Sequence, residues 1–236
     1  MLGTYLIAFP LILFRVRNLG DIATGTARKL FDASALRDLP FWSYTSSNFL
    51  IFTGYMVPFY FMASYGQIEL GMERSMANYV LVVAQACSVA GRLIASFAAS
   101  KVGVMIPWTI CAISSGILCL AWIGVHTPGS FMAYAALYGA FSGALIPLPP
   151  SVFPVVCPDV RVLGARLGMA QGVGSFASLI GSPIAGALTS IGAHGEHRNY
   201  LGLQLFGGLI MALGGCNLIV LWLLLIKQRD LKTKLI

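Results

Sequence analysis

The chain predicts an all-α, polytopic membrane protein: a bundle of six transmembrane helices preceded by part of a further helix. Three observations carry that reading. The 236 residues are 58% hydrophobic and only 10% charged, too little charge to cover a soluble domain of this size. Apolar runs of about 20 residues, enough to cross a ~30 Å hydrocarbon core as a helix, recur along the chain. The basic residues between those runs sort to one side, as the short loops of membrane proteins do. No strand-like alternation suggests a barrel.

Each element follows from its residues. Met1–Phe14 is apolar but short for a span at ~1.5 Å per residue. No basic region precedes it, and Arg15 and Arg17 follow it where a signal peptide would have a small-residue cleavage site. We expect it to be the end of a helix that starts earlier in a longer protein. Residues 15–40 form a basic connector in which Arg28–Leu39 mixes Leu30, Phe31, Leu36 and Leu39 with charges, the pattern of a short interfacial helix. The spans are Phe41–Tyr65, Ala77–Ala99, Ile106–Val125, Phe131–Val156, Leu167–Ile191 and Tyr200–Ile226, a transmembrane domain over 41–226. Residues 227–236 make a basic tail.

Placing the connector in the cytoplasm and alternating from there sets the orientation. Twelve Lys and Arg residues then lie inside, and only Arg74 and Arg198 lie outside. The net charge of +7 is accounted for by this positive-inside bias and by anionic lipid headgroups. It does not point to nucleic acid.

Arg92 is the one charged side chain within any apolar run. Its guanidinium stays ionised, and a charge at that depth costs at least ~2.5 kcal/mol on insertion scales. No Asp or Glu lies in any of the runs. Two readings stand: Arg92 meets an anionic guest, or it is pinned to backbone carbonyls at a broken helix such as that around Pro147–Pro150. Helical spacing puts Ala84, Ser88 and Ser96 on its face. Tyr55, Phe59 and Ala63 of the first span, and Ser142 of the fourth, are further candidate contacts, with packing as the alternative for the aromatics.

Gly54-x-x-x-Pro58 in the first span is matched by Gly143-x-x-x-Pro147 in the fourth. Proline removes a helix hydrogen bond and bends the axis. Paired interruptions in two triplets of spans fit a transporter built from inverted repeats, although Gly and Pro are common in membrane helices. Span five carries Gly168-x-x-x-Gly172, then Gly174, Ser178, Ser182 and Gly186, a smooth face for close packing or for sliding. The five scattered cysteines have no metal or redox spacing, and His194 and His197 lack a convincing third ligand. We expect no cofactor and no metal. An intramembrane serine protease would need a Gly-x-Ser-Gly turn and a membrane histidine, which are missing, so no enzyme is expected.

At this point the residues resemble the C-terminal half of a major facilitator superfamily transporter of the monocarboxylate-porter-like kind found in fungi. The resemblance runs from about Asp32 to Ile226. It is carried by Gly54-x-x-x-Pro58 with Ser64-Tyr65-Gly66, by Gly91-Arg92, by Leu137-Tyr138-Gly139 with Ser142-Gly143, and by Leu179-Ile180-Gly181-x-Pro183-x-x-Gly186. The resemblance implies a twelve-helix carrier in which these spans are helices seven to twelve. Gly54, Pro58, Gly143, Pro147, Gly181 and Pro183 would bend helices during transport. In the family the arginine matching Arg92 binds the substrate carboxylate, and the positions of Phe59, Ala63 and Ser142 line the same cavity. Symport with protons would be usual. Animal members, however, carry an aspartate where this chain has Ser88, and Ser100 stands where an acidic residue often precedes the basic one now seen as Lys101. Any proton-binding group is therefore expected in the N-terminal six-helix half.

The expected partners are a small organic anion (a monocarboxylate), protons, the bilayer and that other half. The expected location is the plasma membrane, with connector and C-terminus cytoplasmic. The competing expectation is a non-transporting membrane fragment.

Overall fold

The computed structural model describes residues 32–190 and 200–229. The expected helix over 1–14, most of the connector, the histidine-bearing turn at 193–199 and the end of the tail lie outside the described residues. A 3-10 turn, Ala33–Arg37, precedes α1 (Leu39–Ile68). Then come α2 (Arg74–Val102), α3 (Met105–Ala121, prolonged by a 3-10 turn Trp122–Gly124) and α4 (Pro128–Gly143). The series ends with α5 (Leu148–Val156), α6 (Val160–Ser190) and α7 (Leu201–Arg229). No strand occurs among the described residues.

Several helices begin before the apolar runs they contain: α1 starts at Leu39, α2 at Arg74 and α6 at Val160. α2 begins at Arg74 and runs to Val102, where Gly103 at φ 89° closes it. The turn between α1 and α2 reverses at Gly71, φ 58°, a left-handed conformation that favours glycine. α4 opens on a capping box: the Thr127 hydroxyl accepts from the Ser130 amide, and the Ser130 hydroxyl oxygen accepts from the Thr127 amide.

Among the described residues, five spans are long and apolar enough to cross a membrane: Arg74–Val102, Met105–Gly124, Pro128–Val156, Arg161–Ser190 and Leu201–Lys227. α1 is as long, but Ser43-Tyr-Thr-Ser-Ser-Asn48 makes its early turns polar. It tolerates them because it packs along both α6 and α7, and a helix clad by neighbours need not be apolar all round. α2 packs on α4, and α3 on α7.

The matched Gly-x-x-x-Pro pairs have different fates. Gly143 ends α4, residues 144–147 form turns, and α5 starts at Leu148. Pro58 sits inside α1 and Pro183 inside α6, and both helices continue through them. The expected shared interruption is therefore seen in the fourth span only. A lone proline removes one hydrogen bond, whereas Pro147, Pro149 and Pro150 together strip three donors from one turn and suit a new helix start. Gly54 and Gly181 serve contact: a Cβ on Gly54 would lie 2.7 Å from the Gly207 carbonyl oxygen, and one on Gly181 would strike that of Thr53.

Candidate functional site

The site is set by the seam between α2 and α4. Ala77, Val80, Ala84, Ser88, Gly91 and Ala95 form the buried side of α2. A side chain on Gly91 would strike the Ala140 carbonyl oxygen, and one on Gly139 would strike that of Ala84. The two backbones thus lie in direct contact, the arrangement small residues permit in membranes. Gly143 completes the seam, its missing Cβ 2.6 Å from the Ser88 hydroxyl oxygen.

Arg92 lies at the edge of this seam, partly buried. Its Nη2 donates to the Ser88 hydroxyl at 3.3 Å, a long bond. Its Nε is buried and has no hydrogen-bond partner among the described residues. Both ion pairs among the described residues belong to Arg166, so Arg92 has no carboxylate beside it there. A guanidinium with spare donors in a low-dielectric setting is a ready receiver for a carboxylate or similar anion.

Across from it, α1 supplies Tyr55, within electrostatic range of Arg92. The Tyr55 and Phe59 ring centroids are 5.6 Å apart, and Phe59 is 5.5 Å from Tyr138 of α4. The Tyr138 hydroxyl donates to the Tyr55 carbonyl oxygen at 2.9 Å, fixing α4 against α1. The structure therefore brings Ser88 to Arg92, leaves Tyr55 within electrostatic range only, and sets Phe59 next to Tyr55. Ser142 is fully buried and its hydroxyl turns to its own helix, 3.5 Å from the Gly139 carbonyl oxygen. It offers nothing to an open side.

The stripe Ala84, Ser88, Arg92, Ser96 does not stay on one side. A four-residue step drifts by about 40° around an α-helix. Ala84 and Ser88 are buried in the seam while Ser96 is exposed. Seven-residue steps drift by only about 20°, and they lead from Arg92 back to Gln85 and Asn78, both exposed. Sequence reasoning missed these two amides, which the heptad spacing would have revealed.

Two more polar contacts lay beyond sequence reasoning. The Asn48 amide of α1 donates to Gln171 Oε1 of α6 at 2.9 Å. At the Leu39 end, Arg166 binds Asp32 at 2.7 Å, Asp38 at 2.9 Å and the Ser34 hydroxyl at 2.9 Å, fastening the connector to α6. The Ser34 hydroxyl and the Arg166 guanidinium hold the Asp32 carboxyl down at about 2.

No protein-family model matches the chain. Among individual proteins, 216 residues are 32% identical to the MFS-type transporter dbaD of Emericella nidulans, covering 85% of this chain and 48% of that protein. The aspyridones efflux protein apdF of the same fungus is 32% identical over 71% of the chain and 33% of its own length. The agnestins efflux protein AgnL12 of Paecilomyces divaricatus is 34% identical over 70% of the chain and 36% of its own length. The chain spans about half the length of the first of these relatives and about a third of the other two.

Proposed function

Because the chain belongs to the major facilitator superfamily, we propose that it forms one half of a secondary-active carrier of organic anions. Arg92 is the contact for the anionic group. The observation that carries this reading is the Arg92 guanidinium at membrane depth, with a buried Nε that bonds to no described residue and no carboxylate paired with it among the described residues. A charge without a fixed counter-ion in a span is a functional site by default. Ser88 orients the guanidinium, and Tyr55 and Phe59 form an aromatic wall for the guest's apolar part. Pinning to the broken helix is less well supported, because the bond Arg92 makes is to Ser88 of its own helix.

The monocarboxylate-like substrate and proton symport belong to the same proposal. With Ser88 beside Arg92, proton binding falls to the partner half. The names of two relatives, efflux proteins for aspyridones and agnestins, favour organic metabolites as the cargo. We place the carrier in the plasma membrane with the Arg166 network and the C-terminus in the cytoplasm, on the side where the loops are basic. Substrate moves as the interrupted fourth span, at Gly143–Pro147, flexes; Gly54–Pro58 and Gly181–Pro183 supply bends within continuous helices.

The test is transport of labelled monocarboxylates by the carrier containing this chain, with Arg92→Ala and Arg92→Lys. Loss with Ala and partial retention with Lys support the reading. Full transport by Arg92→Ala overturns it. A second reading, a non-transporting fragment, is favoured by the chain's covering 48% of dbaD. On that reading a half-carrier supplies one wall of a passage, and in liposomes we expect no saturable flux from this chain alone.

A further inference from the structure

The flank of α2 beside the α4 seam, in line with Arg92, holds polar groups with no assigned partner among the described residues. Gln85 sits eleven residues from the start of α2, well inside the span, and is exposed. Asn78, seven residues earlier, is exposed too. Neither amide makes a hydrogen bond to any described residue. A bare primary amide at that depth does not face hydrocarbon stably, because nothing there satisfies its donors and acceptor. This flank of α2, bordered by the exposed Val82, Val89 and Leu93, is therefore wet, or is met by a polar guest or by a polar group from outside the described residues.

Gln85 and Arg92 stand on nearly the same line, since seven residues make almost two turns. They are separated by about 10 Å along the axis at 1.5 Å per residue. Helical side chains lean toward the N-terminus of their helix. Arg92 does so, reaching back to Ser88, and the same lean at Gln85 preserves the spacing. Between them on the exposed side lies Val89, 56% exposed. Along the helix the pattern reads carboxamide, apolar surface, guanidinium.

We propose that Gln85 is a second substrate-binding residue that measures length together with Arg92. This rests on the reading of Arg92 as the anion contact. The ligand class is an elongated organic anion: a carboxylate or enolate on Arg92, an apolar middle over Val89, and a hydroxyl or carbonyl on the Gln85 carboxamide. The carboxamide can both donate and accept, so it takes either group. A lactate-sized acid cannot reach both points, so the pair selects against it.

The experiment compares ω-hydroxyoctanoate with octanoate in the carrier containing this chain, by mutual competition and by KM. The parent is expected to prefer the hydroxylated acid. Gln85→Leu is expected to cut that preference about tenfold, the effect of one hydrogen bond to a buried polar partner. A parent without the preference, or a preference unaltered by Gln85→Leu, overturns the inference. If Arg92→Ala abolishes binding of both acids while Gln85→Leu leaves their ratio intact, only the length measurement fails. If Arg92→Ala leaves both acids bound as before, the anion reading beneath it fails as well. A second measurement is independent of transport. Gln85→Cys is expected to react with a membrane-impermeant thiol reagent above the parent, whose five cysteines include the exposed Cys216, and to be protected by ω-hydroxyoctanoate. Labelling no greater than the parent's overturns the proposal.

Discussion

Arg166 and Arg92 are both helix-borne guanidinium groups, and the chain treats them in opposite ways. Arg166, near the start of α6, fills its fork with Asp32, Asp38 and Ser34, all within 2.9 Å. Arg92, deep in α2, has the Ser88 hydroxyl at 3.3 Å and a bare Nε. Fixed carboxylates neutralise a cation and make it a fastener between segments. A cation left without them at membrane depth fits the anion contact we propose for Arg92. The first arrangement serves architecture, and the second is what reversible anion binding requires.

The largest expected effect breaks the comparison at its functional end. Arg92→Ala should reduce organic-anion transport by about a hundredfold, equivalent to about 3 kcal/mol for a truncated charge-assisted contact. The purified protein should unfold at nearly the same temperature as the parent, because no ion pair is lost. Arg166→Ala should show the opposite signature, a lower unfolding temperature with anion affinity little altered. Equal losses of transport in both variants would erase the distinction.

What holds Arg92 in place, in the absence of counter-ions, is the α2–α4 seam. Gly91→Ala drives a methyl group into the Ala140 carbonyl oxygen and should destabilise by about 2 kcal/mol, within the usual range for overpacking. Gly168→Ala, where nothing lies within 4 Å of the added carbon, should be neutral or gain up to about 1 kcal/mol of helix propensity. Thermal unfolding in detergent separates them. A stable Gly91→Ala protein would mean that the seam is looser than its contacts require.

The sharpest version of the comparison turns Arg92 into a second Arg166. Ser88→Asp places a carboxylate one turn from Arg92, where at neutral pH it should neutralise the guanidinium. Anion affinity should fall about tenfold, the scale of one competing charge-assisted bond. Acidification protonates the new carboxyl and should restore affinity, introducing a pH dependence. Since Ser88 is tight against Gly143, Ser88→Asn serves as the steric control, and an identical pH-independent loss in both would exclude the electrostatic cause.

The spans were legible because length and apolarity are properties of a single segment, and Arg92 because it breaks one. What needed three dimensions was less visible. Asp32 and Arg166 are 134 residues apart, and nothing in either neighbourhood announces the other. The interfacial helix expected over 28–39 has, in its described part, only the 3-10 turn Ala33–Arg37, since Asp32 caps Ser34 and Asp38 binds Arg166. Gly54-x-x-x-Pro58 and Gly143-x-x-x-Pro147 read alike, but the residues after the motif decide: Pro149 and Pro150 force a restart, whereas Phe59 and Tyr60 let α1 continue. The four-residue stripe through Arg92 followed a pattern that winds off the face, and so passed over Gln85.

The smallest effect tests the fastening end alone. The Asp32 carboxyl is held at about 2, by the Ser34 hydroxyl and then by Arg166, below the ordinary ~3.9 of an unfolded aspartate. A folded-state value below the unfolded one means that the unfolded chain binds the proton first as pH falls. The contribution of this contact is therefore complete above about pH 4 and declines as pH drops toward 2. Acid titration of unfolding temperature in detergent should show a small extra decline in that window for the parent. Asp32→Asn, which has no proton to take up, should lack that component while keeping every other acid transition. A parent and variant that decline in parallel would show that Asp38 and Ser34 hold Arg166 without help from Asp32.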